Sequence, residues 1–294
     1  MTFTKKIFRK ATILPVLLAI GFMFTTPMLL DVAAAPGGNG NGNNNGVPDS
    51  ALLPDIIPSI PKHLQVQNTQ QTETLRFTNA WGNTGVGNLE FFPVIPGVDV
   101  GETETQDSLQ RLYDENGNLV WAEVVSEFEF HAEHNHWHIA DIGEFAVRES
   151  TPNGPGDIIT LPDGETASSI KVGFCIIDVY KINGDNSPTR DRVYWDCEVT
   201  EQGIQAGWMD QYHQSTEGNE VPITNLAPGE YYLTNEWNPA NSFIDDDETN
   251  DQSWMKFELT RDSNGNAKVT EIAGYSPGCN PDAPGLCGEI TRNN

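Results

Sequence analysis

The sequence predicts an all-β fold: a β-sandwich-like domain with long loops and little helix. Two observations carry this expectation. Short runs rich in β-branched and aromatic residues recur along the chain, each bounded by Gly, Pro, Asn or Asp, and such runs suit a pleated, half-buried surface. No segment keeps a long apolar repeat of 3.6 residues, which an amphipathic helix needs.

The elements follow in order. Residues 1–35 read as an export signal: Lys5, Lys6, Arg9 and Lys10 precede an apolar stretch from Ala11 to Leu30, and Ala33-Ala34-Ala35 offers small residues for cleavage. The alternative is a retained anchor, since the apolar run is nearly long enough to span a bilayer. Pro15, Thr25, Thr26 and Pro27 interrupt that run and favour a cleaved signal, with no stable membrane insertion afterwards. Residues 36–50 form a linker rich in Gly and Asn that can bury no core and is expected to be flexible. Residues 51–294 have the composition of one globular unit.

Within that unit, Thr74–Thr78 and Leu89–Val94 carry strand formers on either side of a glycine-rich turn from Gly82 to Gly87. Gln110–Tyr113 and Leu119–Glu123 flank Asp114-Glu-Asn-Gly-Asn118, a hairpin turn. Ile142–Arg148, Ile170–Ile177, Tyr231–Trp237 and Trp254–Leu259 are further expected strands. From Asp262 to Asn294 only a glycine- and proline-rich tail is expected.

The formal charge is −26. Removing residues 1–35 takes away four cationic side chains and Asp31, leaving −29. So acidic a chain repels nucleic acid and attracts cations, an amine substrate included; adaptation to a salty medium would account for the charge equally. Four cysteines in an exported chain imply two disulfides. Of three pairings, Cys175–Cys197 with Cys279–Cys287 closes the shortest loops.

Four of the six histidines fall in Phe128-Glu-Phe-His131-Ala-Glu-His134-Asn-His136-Trp-His138. In an extended chain His134, His136 and His138 share one face, and His131 lies on the other. Three neutral imidazoles on one face suit copper, zinc or iron and disfavour magnesium or calcium. His131, out of phase, is expected either to support the ligands from behind or to be structural. Separately, Asp245-Asp-Asp247-Glu-Thr-Asn250-Asp251 offers dense oxygen donors of the kind calcium takes, or is simply a solvated acidic turn.

The histidine segment resembles the copper-binding signature of the lysyl oxidase family, in which aromatic-Glu-aromatic-His is followed by His-x-His-aromatic-His. Ile170-Lys171-Val-Gly-Phe174-Cys175-Ile-Ile-Asp178 resembles that family's lysine segment. Gln202-Gly-Ile204-Gln-Ala-Gly207-Trp-Met-Asp210-Gln-Tyr212 resembles its tyrosine segment, and Pro222 to Tyr231 and Asn238-Pro239 follow in the same order. The likeness is traceable from about Asp55 to Trp254 and does not cover the tail after about 262.

The resemblance implies a secreted, extracellular amine oxidase. His134, His136 and His138 would bind copper, and Lys171 and Tyr212 would be joined into lysine tyrosylquinone. Primary amines, peptidyl lysine or a lysine-rich protein among the candidates, would be oxidised by dioxygen to aldehydes, with release of hydrogen peroxide and ammonia. Asp55-Ile56 matches a pair that completes a calcium site with Asp245, Asp247, Asn250 and Asp251. Two departures stand out. Phe145 occupies the place of a histidine proposed as general base in vertebrate members, leaving Asp141 and Asp178 as the nearest carboxylates, with Asp178 the expected base. Glu133 stands where those enzymes have a cysteine. Other functions compatible with the residues are a non-enzymatic copper-binding module and a three-histidine zinc hydrolase using Glu127, Glu129 or Glu133.

Overall fold

The computed structural model describes residues 46–96, 105–132, 135–169, 173–182, 191–279 and Cys287. The expected export signal, most of the linker, His134 and Lys171 lie outside them. Contacts divide the chain into Met1–Pro36 and Gly37–Asn294, and every described residue belongs to the second unit.

The described residues contain strands and no helix. In chain order the strands are β1 (Ile56–Pro58), β2 (Lys62–Asn68), β3 (Glu73–Asn83), β4 (Leu89–Pro93), β5 (Thr105–Tyr113), β6 (Leu119–His131), β7 (His136–Ile139) and β8 (Gly143–Thr151). There follow β9 (Gly154–Ile158), β10 (Tyr180–Lys181), β11 (Gln202–Ile204), β12 (Trp208–Tyr212), β13 (Glu220–Pro222), β14 (Gly229–Trp237), β15 (Gln252–Arg261) and β16 (Ala267–Tyr275). They form three antiparallel sheets. One has the order β1-β3-β12-β10, with β2 and β13 also paired to β3; the others run β11-β4-β5-β6-β7 and β16-β15-β14-β8-β9.

Alternation explains how the sheets meet. Along β15, Ser253, Met255, Phe257 and Leu259 are buried while their neighbours are more exposed, the period of two expected of a strand with one face in a core. Leu75, Phe77 and Trp81 from the first sheet, Leu89, Phe91, Phe128 and Trp137 from the second, and Phe145, Val147, Leu233 and Phe257 from the third share one apolar cluster. The all-β expectation therefore holds.

Two local expectations are corrected. The described part of Ile170–Ile177 is not a strand, because its backbone partners are scattered. Phe174 bonds with Ile139, Ile176 receives Gly203 N–H and donates to the Gln202 side chain, and Asp178 donates to Tyr194 O. No single neighbouring strand is available to form a ladder. Conversely, the supposed tail contains β16, which pairs along β15 from Ala267 to Tyr275. It is an edge strand with little buried surface, so its sequence lacks the strong apolar alternation that reveals half-buried strands.

Both disulfides pair as expected: Cys175–Cys197, with Cα atoms 5.5 Å apart, and Cys279–Cys287. Among the described residues no helix is long and apolar enough to cross a membrane.

Candidate metal centre and tyrosine site

The histidine segment is a hairpin and not one continuous strand. β6 ends at His131, Asn135 N bonds back to Ala132 O with Asn135 at a φ of 54°, and β7 returns from His136. The register opposes Phe128 to Ile139, Glu129 to His138, Phe130 to Trp137, and His131 to His136. Directly opposed residues project from the same face of a ladder. One face is apolar: Phe128, Trp137 and Ile139 are buried, and Phe130 meets Trp137 edge-on at 5.6 Å. The other carries imidazoles and Glu129.

This corrects the placement of His131. Because the chain reverses at the turn, His131 comes to the same side as His136 and His138, and its ring stacks on His138 at 4.8 Å and 16°. His136 Nε2 and His138 Nε2 face each other at 2.9 Å. That separation is an ordinary hydrogen bond between the rings, and paired imidazole nitrogens are donors that suit copper, zinc or iron. With His134 outside the described residues, no group of three His, Cys, Asp or Glu able to hold a metal is formed among those that are described.

The segment after Lys171 lies along this hairpin. A Cβ on Gly173 would meet Ile139 O at 3.2 Å and His138 Cβ at 3.7 Å, so glycine permits the close approach. Phe174 N and O bond to Ile139 O and N. The next residue, Cys175, accepts the Tyr212 hydroxyl through its carbonyl. Tyr212 is thus linked to the histidine hairpin through two consecutive residues. Its ring packs against Phe174 at 4.9 Å and Trp81 at 6.2 Å. Phe145 is fully buried beside Trp81 and Phe174 in the same aromatic group.

Asp210, two residues earlier on β12, shares the Tyr212 face and was not singled out from the sequence. It is 1 % exposed, hydrogen-bonds the Tyr212 hydroxyl, and accepts from Ile177 N and Gln211 N. Burial, reinforced by nearby Asp178, pushes its carboxyl well above the usual range. Burial, then the Asp210 charge, pushes the Tyr212 phenol up as well. The period-two spacing of Asp210 and Tyr212 was visible in the sequence; their depth was not.

Asp178 is placed differently from a proton acceptor in an open site. It is fully buried, and it accepts hydrogen bonds from Val193 N, Tyr194 N, Gln205 N and Gln205 Nε2 at 3.0, 3.2, 2.9 and 2.6 Å. Those bonds tie the 191–194 loop to β11 and its exit. Asp141 is exposed in the turn after β7, at a φ of 56°. Glu129, opposite His138, is exposed to solvent; partial desolvation, then the charges of Glu127 and Asp141, raise its carboxyl.

The acidic segment forms a second centre. Asp55 receives Asn250 Nδ2 at 2.8 Å, and Asp245 accepts from Ile56 N at 3.1 Å. Asn250 Oδ1 and Asp251 Oδ1 are buried without a hydrogen-bond partner. Burial raises Asp245 to about 7, and burial with the charges of Asp245 and Asp55 raises Asp251 to about 8. Asp247 is exposed and turned to its own loop, accepting from Thr249 N and Oγ1. Asp55, Asp245, Asn250 and Asp251 are thus neighbours, with the Ile56 N–H given to Asp245, but as placed they form no group of three carboxylates able to hold a metal.

Comparison with known proteins bears on the same region. A family model described as Lysyl oxidase matches residues 115–269, which takes in the hairpin, Tyr212 and most of the third sheet. Lysyl oxidase homolog 4 of Mus musculus is 30% identical over 95 residues, 32% of this chain and 12% of that protein. Lysyl oxidase homolog 2 of Xenopus laevis is 30% identical over 94 residues, again 32% and 12%. The match therefore spans about an eighth of the length of these relatives.

Proposed function

Because the chain belongs to the lysyl oxidase family, we propose that it is a secreted, copper-dependent amine oxidase that converts primary amines to aldehydes. The observation that carries this reading is the coupling of two unlike sites. An imidazole hairpin is joined through Phe174 and Cys175 to a phenol held by a buried carboxyl group. A protein that only bound copper would need no such phenol.

His136 and His138, with His134, would hold copper, and Lys171 with Tyr212 would supply the quinone. When bound, the copper and quinone provide one-electron oxidation and a carbonyl that condenses with primary amines. The described residues orient and protect. The Cys175 carbonyl and Asp210 fix the Tyr212 hydroxyl, and burial keeps it a neutral phenol. Asp210 stands where a proton leaving Tyr212 Oη would go. Trp81 and Phe174, backed by Phe145, exclude water from one side of the ring. Glu129, on the imidazole face, is the carboxylate best positioned to take a substrate proton, in place of the tied Asp178. Asp55, Asp245, Asn250 and Asp251 would hold calcium, which neutralises a buried group of like charges.

The test is the intact mass and peptide map of copper-loaded, aerobically prepared protein. A Lys171–Tyr212 crosslink is expected. Unmodified peptides at full copper occupancy would reduce the protein to a copper-binding module.

A further inference from the structure

Beside the histidine hairpin lies a cleft of about 330 Å³ that the proposed chemistry does not use. Its walls include Phe92, Val193 and Trp195, and its edge carries Asp196, Thr200 and Glu201. Trp195 is 68% exposed and Val193 43%. Single exposed apolar residues are common, but an exposed indole lining a concavity with carboxylates marks a binding surface.

The cleft is built onto the hairpin. Trp195 precedes by two residues Cys197, whose carbonyl accepts Trp137 N–H at 2.8 Å. Glu201 precedes Gln202, whose Nε2 donates to Trp137 O at 3.0 Å. Both peptide polar groups of Trp137, the residue between His136 and His138, are therefore taken by neighbours of the cleft. Two residues of chain reach no more than about 7 Å, so Trp195 and Glu201 lie close to the hairpin backbone. The Cys175–Cys197 disulfide fixes the loop to the segment carrying Cys175.

The chemistry is that of a cation site. One face of the Phe92 ring is already covered by Arg111, whose Cζ stands 3.4 Å from its centroid, so the aromatic face left open is that of Trp195. Trp195 offers a larger indole face, the strongest aromatic partner for a cation. Asp196 and Glu201 supply negative charge, and the chain as a whole carries −26. An alkylammonium side chain can lay its methylene stem on Val193 and Trp195 and keep its head in water near the carboxylates.

We propose that this cleft recognises a lysine side chain of a polypeptide substrate, flanking the lysine that is oxidised. As a substrate exosite it rests on the amine oxidase reading; as a site for a lysine side chain it does not. The test therefore begins with binding. The full chain without copper is titrated with a short peptide of alternating Lys and Gly, by calorimetry and tryptophan fluorescence. Wild type is compared with Trp195→Ala, with Asp196→Asn/Glu201→Gln, and with Glu258→Gln, an exposed acid on β15.

Trp195→Ala should weaken binding about threefold, the scale of an exposed cation–π contact. The double variant should weaken it at least as much, and Glu258→Gln should leave it unchanged. With the copper-loaded enzyme, Trp195→Ala should raise KM for the peptide by a similar factor without changing KM for butylamine. If the cleft variants weaken binding no more than Glu258→Gln, bulk charge accounts for it and the proposal falls. If the cleft variants weaken binding as expected but no amine is oxidised, the cleft stands and the oxidase reading falls.

Discussion

His131 lies directly opposite His136 across the β6–β7 hairpin, and its ring stacks on His138. The relationship makes it a neighbour of the imidazoles proposed to bind copper, on the face that its sequence phase denied it. His131→Ala should lower copper affinity about tenfold, the lower end of what losing a residue that orients a ligand costs. His138→Ala should abolish tight binding. Competition with a chelator of known affinity measures both; equal losses would make His131 itself a ligand.

Asp210 is expected to govern the fate of the Tyr212 proton. Asp210→Asn should leave copper binding intact and slow crosslink formation by at least about a hundredfold, the lower end for a lost general acid–base group. The readout is the rate at which the crosslinked mass and the quinone absorbance appear after copper addition. Crosslinking at the wild-type rate would remove Asp210 from the chemistry.

Asp178 should behave as a structural tie. Its four N–H donors cannot all be satisfied by an amide, which brings donors of its own. Asp178→Asn should cost about 2–4 kcal/mol in urea unfolding, the range for disrupting a buried charged hydrogen-bond group. Unchanged stability with a large fall in turnover would instead make it the base expected from the sequence.

The acidic centre predicts a pH dependence of definite sign. Asp245 and Asp251 titrate at about 7 and about 8 in the folded chain, against about 3.9 when unfolded. Between those values the folded state binds more protons, so stability without calcium falls as pH rises from about 4 to about 8. Melting temperature should drop between pH 5 and pH 8.5, and millimolar calcium should recover most of that loss, because the ion binds only the folded form. Asp251→Asn should raise the melting temperature at pH 8 without calcium and abolish the calcium increment. A melting temperature at pH 8 indifferent to calcium would refute the site.

Legibility in the sequence varied with range. β4, β14 and β15 were read nearly to their ends, because runs of β-branched and aromatic residues are a local signal, whether the strand alternates like β15 or is buried on both faces like β4 and the middle of β14. The expected strand at Ile170–Ile177 was misread, because apolar residues in a row also suit an irregular segment bonded to several partners. Edge strand β16 was missed because it buries little. The acidic run was legible as chemistry, yet only the fold separates Asp251, whose Oδ1 is buried without a partner, from Asp247, turned to solvent.

By itself the sequence determined the residue types: the imidazoles, a phenol, a carboxylate two places before it, and cysteines at spacings that close short loops. Tertiary structure decided which of them face one another. The reversal between β6 and β7 brings His131 to the side of His136 and His138, and four N–H donors close round the buried Asp178 carboxylate. Burial sets Asp210 against the Tyr212 hydroxyl, out of solvent. The reason is physical: side-chain periodicity is set within a few residues, whereas opposition across a ladder and loss of solvent depend on segments far apart in the chain.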